Sequence, residues 1–174
     1  MTLVQEKQRP SSKMFRRFLI LMAEDDEDDR LLTRDALKES KLPCDLRFVK
    51  DGEELMDYLL HRGIYDGPDL APPPGLILLD LNMPRKDGRE ALKEIEAYPN
   101  LRRIPIVVLT TSKAEEDILS AYQLGVNTYI RKPVQFRTMV ETVKMIGKYW
   151  FEIAELPLVV PRDEPPGPHR RNAT

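Results

Sequence analysis

The chain has 174 residues, 41% hydrophobic and 32% charged, with a formal net charge of −2. That is enough for one domain with a real core, and the near-balanced charge argues against bulk binding to nucleic acid. The single cysteine, Cys44, excludes an internal disulfide. No apolar run approaches the roughly 20 residues of a membrane span, and the first residues lack the apolar core of a secretory signal, so a cytoplasmic location is expected.

In chain order, residues 1–15, with Lys7, Arg9, Pro10, Ser11 and Ser12, read as a flexible N-terminal tail, and residues 16–155 as the folded domain. Phe18–Ala23 is an unbroken apolar run of the kind that forms a strand buried on both faces. It leads into six consecutive acids, Glu24 to Asp29. Asp26 to Asp29 suit the first turn of a helix, whose dipole favours acids there, and Leu31, Leu32, Ala36 and Leu37 follow at helical spacing. Glu24 and Asp25 come earlier, at the strand's carboxyl end, where capping a helix does not explain them. Asp45–Val49 is a second strand, followed by Asp51-Gly52 and a helix carrying Leu55, Tyr58 and Leu59. Residues 61–75 hold Gly63, Gly67, Pro68, Pro72, Pro73, Pro74 and Gly75, a loop longer than most connections in a compact domain. It reads as a tolerated insertion or a partner contact, with His61 a surface residue at the helix end.

Gly75 to Leu79 runs straight into Asp80, so Asp80 stands at the carboxyl end of a central strand or, more simply, caps it. Asn82-Met83-Pro84 ends that strand, and Lys86-Asp87-Gly88 is turn chemistry before a helix marked by Leu92 and Ile95. Ile104–Leu109 is the fourth strand and delivers Thr110-Thr111-Ser112. Ser112 with Glu115 fits a capping box for a helix bearing Ile118, Ala121 and Tyr122 and stopped by Gly125. Thr128–Arg131 is the fifth strand and hands over Lys132-Pro133. A final helix over about 135–154 carries Phe136, Met139, Val140, Val143, Ile146, Trp150 and Ile153 on its apolar positions. Residues 156–174, with Pro157, Pro161, Pro165, Pro166 and Pro168 among charges, read as a disordered C-terminal tail.

Strand and helix alternate five times, which predicts an α/β domain: a doubly wound parallel sheet with helices on both faces and right-handed crossovers. In such sheets the carboxyl edge of the strands binds ligands, and Glu24, Asp25, Asp80, Thr110 and Lys132 all fall there. Clustered carboxylates repel, and a hard cation such as Mg²⁺ relieves the repulsion with oxygen ligands and several waters. Asp25 and Asp80 suit direct ligation, the Asn82 carbonyl is a natural third ligand, and Glu24 suits a metal-bound water. No histidine partners Asp80, so no hydrolytic triad is visible; an acid beside Mg²⁺, a lysine and a hydroxyl suits acceptance of a phosphoryl group, where positioning and charge neutralisation do most of the work.

Glu24-Asp25, the run Leu79-Asp80-Leu81-Asn82-Met83-Pro84 with Asp87-Gly88, Thr110, and Tyr129 through Lys132-Pro133 resemble a two-component response-regulator receiver domain of the CheY-like, flavodoxin-like type. Thr110 follows Asp80 by 30 residues and Lys132 follows Thr110 by 22, which fits that family. The resemblance implies a five-stranded (βα)5 fold with strand order 2-1-3-4-5, Asp80 as phosphoacceptor, Thr110 and Lys132 as its catalytic aids, Thr110 and Tyr129 as a switch pair, and a Lys132–Pro133 bond that is often cis. Glu24 replaces the commoner Asp and leaves metal binding intact. The long loop before Asp80 and the run Asn82 to Glu90 are similar to the Rcp type, single-domain regulators phosphorylated by phytochrome-type histidine kinases. The expectation is therefore a non-enzymatic phosphorelay protein that signals by protein contact. Phosphorylation draws Thr110 toward the new oxygens and lets Tyr129 pack inward, changing the surface of the fourth helix, fifth strand and fifth helix. That surface, with the apolar end of the last helix at Trp150, Phe151 and Ile153, is expected to form a homodimer, with no nucleic-acid or membrane partner. The rival readings are a Mg²⁺-dependent aspartyl phosphatase, disfavoured by Asn82 where a second acid would stand, and a metal-free docking module, disfavoured by the intact acid pair, Thr110 and Lys132.

Overall fold

A computed structural model describes residues 18–156; the two expected tails lie outside them, apart from Leu156. Five parallel strands, β1 (Phe18–Ala23), β2 (Cys44–Val49), β3 (Leu76–Leu79), β4 (Ile106–Thr110) and β5 (Thr128–Arg131), form one sheet in the order β2-β1-β3-β4-β5. They alternate with α1 (Glu27–Ser40), α2 (Gly52–Leu59), α3 (Gly88–Ala97), α4 (Glu115–Gln123) and α5 (Phe136–Gly147). This is the order and fold that the resemblance implied.

The apolar runs are unbroken because both sheet faces are covered, yet each strand still deals its residues out by twos. Leu21, Ala23, Ile77, Leu79 and Val108 go to one core, with Leu55 and Met56 of α2, Leu92 and Ile95 of α3, and Ala121 of α4. Ile20, Met22, Leu76, Leu78, Val107 and Leu109 go to the other, with Ala36 and Leu37 of α1 and Met139, Val140 and Val143 of α5. At roughly 1.5–3 kcal/mol for each large buried apolar side chain, these two layers hold the helices on. They do so unevenly: α5 buries five residues and α4 only Ala121, leaving Leu119 and Tyr122 exposed.

Several boundaries differ from expectation, among them the start of the second strand at Cys44. The fourth strand begins at Ile106, after Pro105, which has no N–H for a ladder. The Ser112/Glu115 capping box does not form: α4 starts only at Glu115, so the N-cap is Ala114, with no side-chain cap, and Ser112 lies before it, donating its hydroxyl to Asp117 while its Oγ accepts from the Ala114 N–H at 3.4 Å. The last helix continues beyond Gly147 as a wider π turn, Lys148–Ile153. There Trp150 and Phe151 pack on the chain's own second core, the Phe151 ring lying 3.9 Å from that of Phe18. Those two residues cover the monomer's own core edge, whereas Met145, Tyr149 and Ile153 stay exposed. The long 61–75 loop is pinned: the Tyr58 hydroxyl donates to the Pro72 carbonyl at 2.9 Å and the Tyr65 hydroxyl to Glu54 at 2.7 Å.

Candidate phosphoacceptor and metal site

Main-chain bonds carry the ladder one residue past three strands. The N–H of Glu24 donates to the Val49 carbonyl at 3.0 Å, that of Asp80 to Ala23 at 3.0 Å, and that of Lys132 to Thr110 at 2.9 Å. The sheet itself therefore places these side chains along one edge. Gly88 lets the next helix start close above them, because a Cβ there would collide with the Asp80 carbonyl and with the Leu81 backbone. Asp87 and Glu90 close a capping box that fixes the same turn.

Asp80 is 4% exposed. Its Oδ1 accepts from the Thr110 hydroxyl at 2.6 Å and from the Asn82 N–H at 3.1 Å, and its Oδ2 accepts from Lys132 Nζ at 2.9 Å. Lys132 Nζ also lies 2.6 Å from Glu24 Oε2 and 2.7 Å from Asp29 Oδ2. Burial alone would lower the Lys132 pKa, but its bonds to Asp29, Glu24 and Asp80 outweigh burial and hold it above the ordinary lysine value. Glu24 is fully buried, and burial pushes its carboxyl up to about 7 against the pull of Lys132. Its Oε1 accepts from the Asp26 N–H at 3.1 Å, whereas Oε2 makes no hydrogen bond of good geometry despite the nearby ammonium.

Glu24, Asp25 and Asp80 each bring a carboxylate oxygen to within 4.8 Å of the others. Two are buried and Asp25 is exposed, so the group opens to solvent on one side. An all-oxygen donor set with one orphaned buried carboxylate oxygen fits a hard divalent cation that keeps some of its water.

The structure thus brings Glu24, Asp25, Asp80, Thr110 and Lys132 together. Asn82 is exposed and touches Asp80 through its N–H. Tyr129 stands apart from the acids: it pairs in register with Val108 on β4, and its hydroxyl donates to the Ser112 carbonyl at 3.4 Å. It is half-buried against the first core, and the Thr110 hydroxyl donates to Asp80. The Lys132–Pro133 bond is trans, as are all peptide bonds among the described residues, and the cis form is not adopted here.

Sequence reasoning passed over two features. Asp29 suits the helix dipole, yet in the first turn of α1 its carboxylate also reaches Lys132 Nζ at 2.7 Å. Arg89, at the start of α3, donates from Nε to Asp117 Oδ1 at 2.7 Å and from Nη2 to Oδ2, and Asp117 also accepts from the Ser112 hydroxyl. The Arg89 and Ser112 bonds hold the Asp117 carboxyl below the usual range. Nothing in the spacing of two residues 28 apart signals that pair.

Residues 20–144 match the response regulator receiver domain family. The chain is 42% identical over 139 residues to the response regulator Rcp1 of Synechocystis, covering 80% of this chain and 92% of that protein. The crystal structure of the phosphorylated cyanobacterial phytochrome response regulator RcpA superposes with a TM-score of 0.75 at 45% identity, covering 81% of this chain and 99% of that one. The Mn²⁺-bound form of Rcp1 gives a TM-score of 0.72 at 42% identity, covering 80% and 99%. No helix among the described residues is long and apolar enough to cross a membrane. With the motif set, the strand order and these likenesses in agreement, the chain belongs to the response regulator receiver-domain family.

Proposed function

We propose that Asp80 accepts a phosphoryl group from a sensor histidine kinase of the phytochrome type, and that this chain is the receiver in a light-responsive two-component relay. The observation that carries the reading is Asp80 itself: one nearly buried carboxylate held by a hydroxyl on one oxygen and an ammonium on the other, within ligand distance of two more acids. In the transfer, an Asp80 oxygen attacks phosphorus as the P–N bond to the donor histidine breaks, and the nitrogen leaves with the electron pair. Lys132 turns its ammonium to the phosphoryl oxygens, and the Thr110 hydroxyl donates to one of them; both act by stabilising charge that a loose transition state spreads over those oxygens. Asp25, Asp80 and the Asn82 carbonyl would hold a divalent cation, Mg²⁺ in this reading, with Glu24 holding one of its waters, and the ion would supply charge neutralisation at the acceptor and phosphoryl oxygens. The likeness to RcpA and Rcp1 supports the phytochrome assignment.

The protein acts as a substrate of its kinase rather than as an enzyme on a separate substrate, and its output is protein contact in the cytoplasm without nucleic acid. Phosphorylation draws Thr110 onto the new phosphoryl oxygens, lets Tyr129 pack further inward, and so changes the placing of α4, the most weakly embedded helix. The exposed Leu119, Tyr122, Val134 and Phe136 form the apolar part of an α4-β5-α5 face on which two copies pair. Incubation with acetyl phosphate and Mg²⁺ should add one phosphate, by intact mass, to the wild type and none to Asp80→Asn. A phosphate adduct on Asp80→Asn would overturn the acceptor assignment, and sedimentation showing monomer alone at high concentration, with and without phosphate, would overturn the dimer.

A further inference from the structure

Lys132 is ringed by three carboxylates, where phosphoryl transfer to Asp80 needs the ammonium to be free. Nζ lies 2.6 Å from Glu24, 2.7 Å from Asp29 and 2.9 Å from Asp80. An ammonium has three donors: two are hydrogen-bonded to Asp29 and Asp80, and Glu24 Oε2 crowds the third at 2.6 Å without good geometry. The three acids are not equivalent. Glu24 and Asp80 follow strands at the sheet edge and belong to the group that can share a cation. Asp29 does not; it rides on the first turn of α1 and keeps 34% of its side chain exposed. Its placing is specific: the Asp26 side chain caps the helix by accepting from the N–H groups of Asp28 and Asp29, at 2.9 and 3.0 Å, which fixes the turn that carries the Asp29 carboxylate to Lys132.

We infer that Asp29 is a positioning residue that holds the Lys132 ammonium toward α1 and so restrains phosphorylation of Asp80. The inference rests on the reading of Asp80 as acceptor. Charge-assisted bonds are the strong ones, and Lys132 is only 6% exposed, so solvent screens this pair little. An incoming phosphoryl donor has to win one N–H from Asp29 and approach a site that carries the Asp29 charge as well. Neutralising Asp29 removes both obstacles while leaving every proposed cation ligand in place.

The test measures initial phosphorylation of the whole protein by acetyl phosphate at saturating Mg²⁺, in the wild type, Asp29→Asn, Asp29→Ser and Asp28→Asn. Asp28 is in the same helical turn and is exposed, so its neutralisation controls for loss of one surface charge. Both Asp29 variants should phosphorylate several-fold faster than wild type, Asp28→Asn should match wild type, and Mg²⁺ affinity by calorimetry should be unchanged in all three variants. Equal rates in all four proteins, equal acceleration in Asp28→Asn and the Asp29 variants, or slowing on loss of Asp29 would each overturn the inference while leaving the acceptor assignment intact. A wild type that takes up no phosphate would overturn the acceptor assignment and this inference with it. If Asp29→Asn melts below the assay temperature, the inference is judged on Asp29→Ser by the same outcomes, and unfolding of both variants would show that Asp29 serves stability and overturn it as well.

Discussion

Two cations stand at the functional edge of the sheet and are used in opposite ways. Lys132 is a compact charge shared among three acids, all within 2.9 Å and each replaceable by another anion. Arg89 commits both prongs of its guanidinium to the single carboxylate of Asp117, a planar fork-to-fork match that no point charge reproduces. The difference is one of exchange against bracing. A point charge of this kind can exchange one anionic oxygen for another, as the proposed phosphorylation requires. The arginine ties the start of α3 to the first turn of α4 and, through Asp117, holds Ser112, whose N–H faces Thr110 Oγ1 at 3.4 Å and whose carbonyl accepts from Tyr129. Under the proposed phosphorylation, a charge event at Asp80 would meet an exchangeable partner on one side and a bracing pair on the other, which is what a two-state element needs in order to respond locally and be read at a distance.

The comparison breaks most visibly if Lys132 is removed. Lys132→Ala leaves Glu24 and Asp80, both nearly or fully buried, without their cation, and breaking a buried pair costs about 3–5 kcal/mol. The cost should fall at the lower end of that range, because Glu24, already pushed up to about 7, relieves the repulsion by taking up a proton. Urea titration should show this loss in chelator and its partial recovery in Mg²⁺, since a bound cation stabilises the folded form by mass action. Loss of stability that ignores Mg²⁺ would mean that the acids do not form one electrostatic unit with the lysine.

The same contrast explains what could be read from the sequence. Glu24, Asp80, Thr110 and Lys132 each end or follow an apolar run, and parallel topology sends the carboxyl ends of all such runs to one edge; four distant positions become one site by arithmetic on strands. Arg89 and Asp117 lie on helices, where no such rule brings positions 28 apart together. Ser112 is instructive because its local pattern fits a capping box, but the helix starts only at Glu115, past the turn that Ser112 would cap, and the hydroxyl donates to Asp117 instead. Asp29 was hidden by a sufficient local explanation. A middle-sized effect tests the brace: Arg89→Ala should cost about 1 kcal/mol, the pair being partly exposed at 30% and 17%. Arg89→Lys should recover little of it. Thermal melts of Arg89→Ala, Ser112→Ala and the double variant should be non-additive; simple additivity would show that Arg89 and Ser112 do not act through Asp117.

The smallest effect belongs to a third pair that sharpens the contrast between exchange and bracing. Asp51, 1% exposed, caps α2 by accepting from the Glu54 N–H at 2.9 Å and also takes the Arg85 guanidinium. Burial alone would raise its pKa, but the Glu54 N–H and Arg85 outweigh burial and hold it below the ordinary aspartate value. A carboxyl with a lowered folded-state pKa binds its proton more readily when unfolded, so its contribution to stability is complete above the ordinary aspartate range and is lost as pH falls through the lower folded value. Asn caps a helix about as well as Asp, so Asp51→Asn removes the charge and keeps the cap. Wild type should exceed Asp51→Asn in melting temperature at pH 7, and the gap should close as pH falls below the ordinary aspartate range. A gap that persists unchanged into acid would mean that Arg85, half of whose side chain faces solvent at 51% exposure, packs against Asp51 without contributing through its charge.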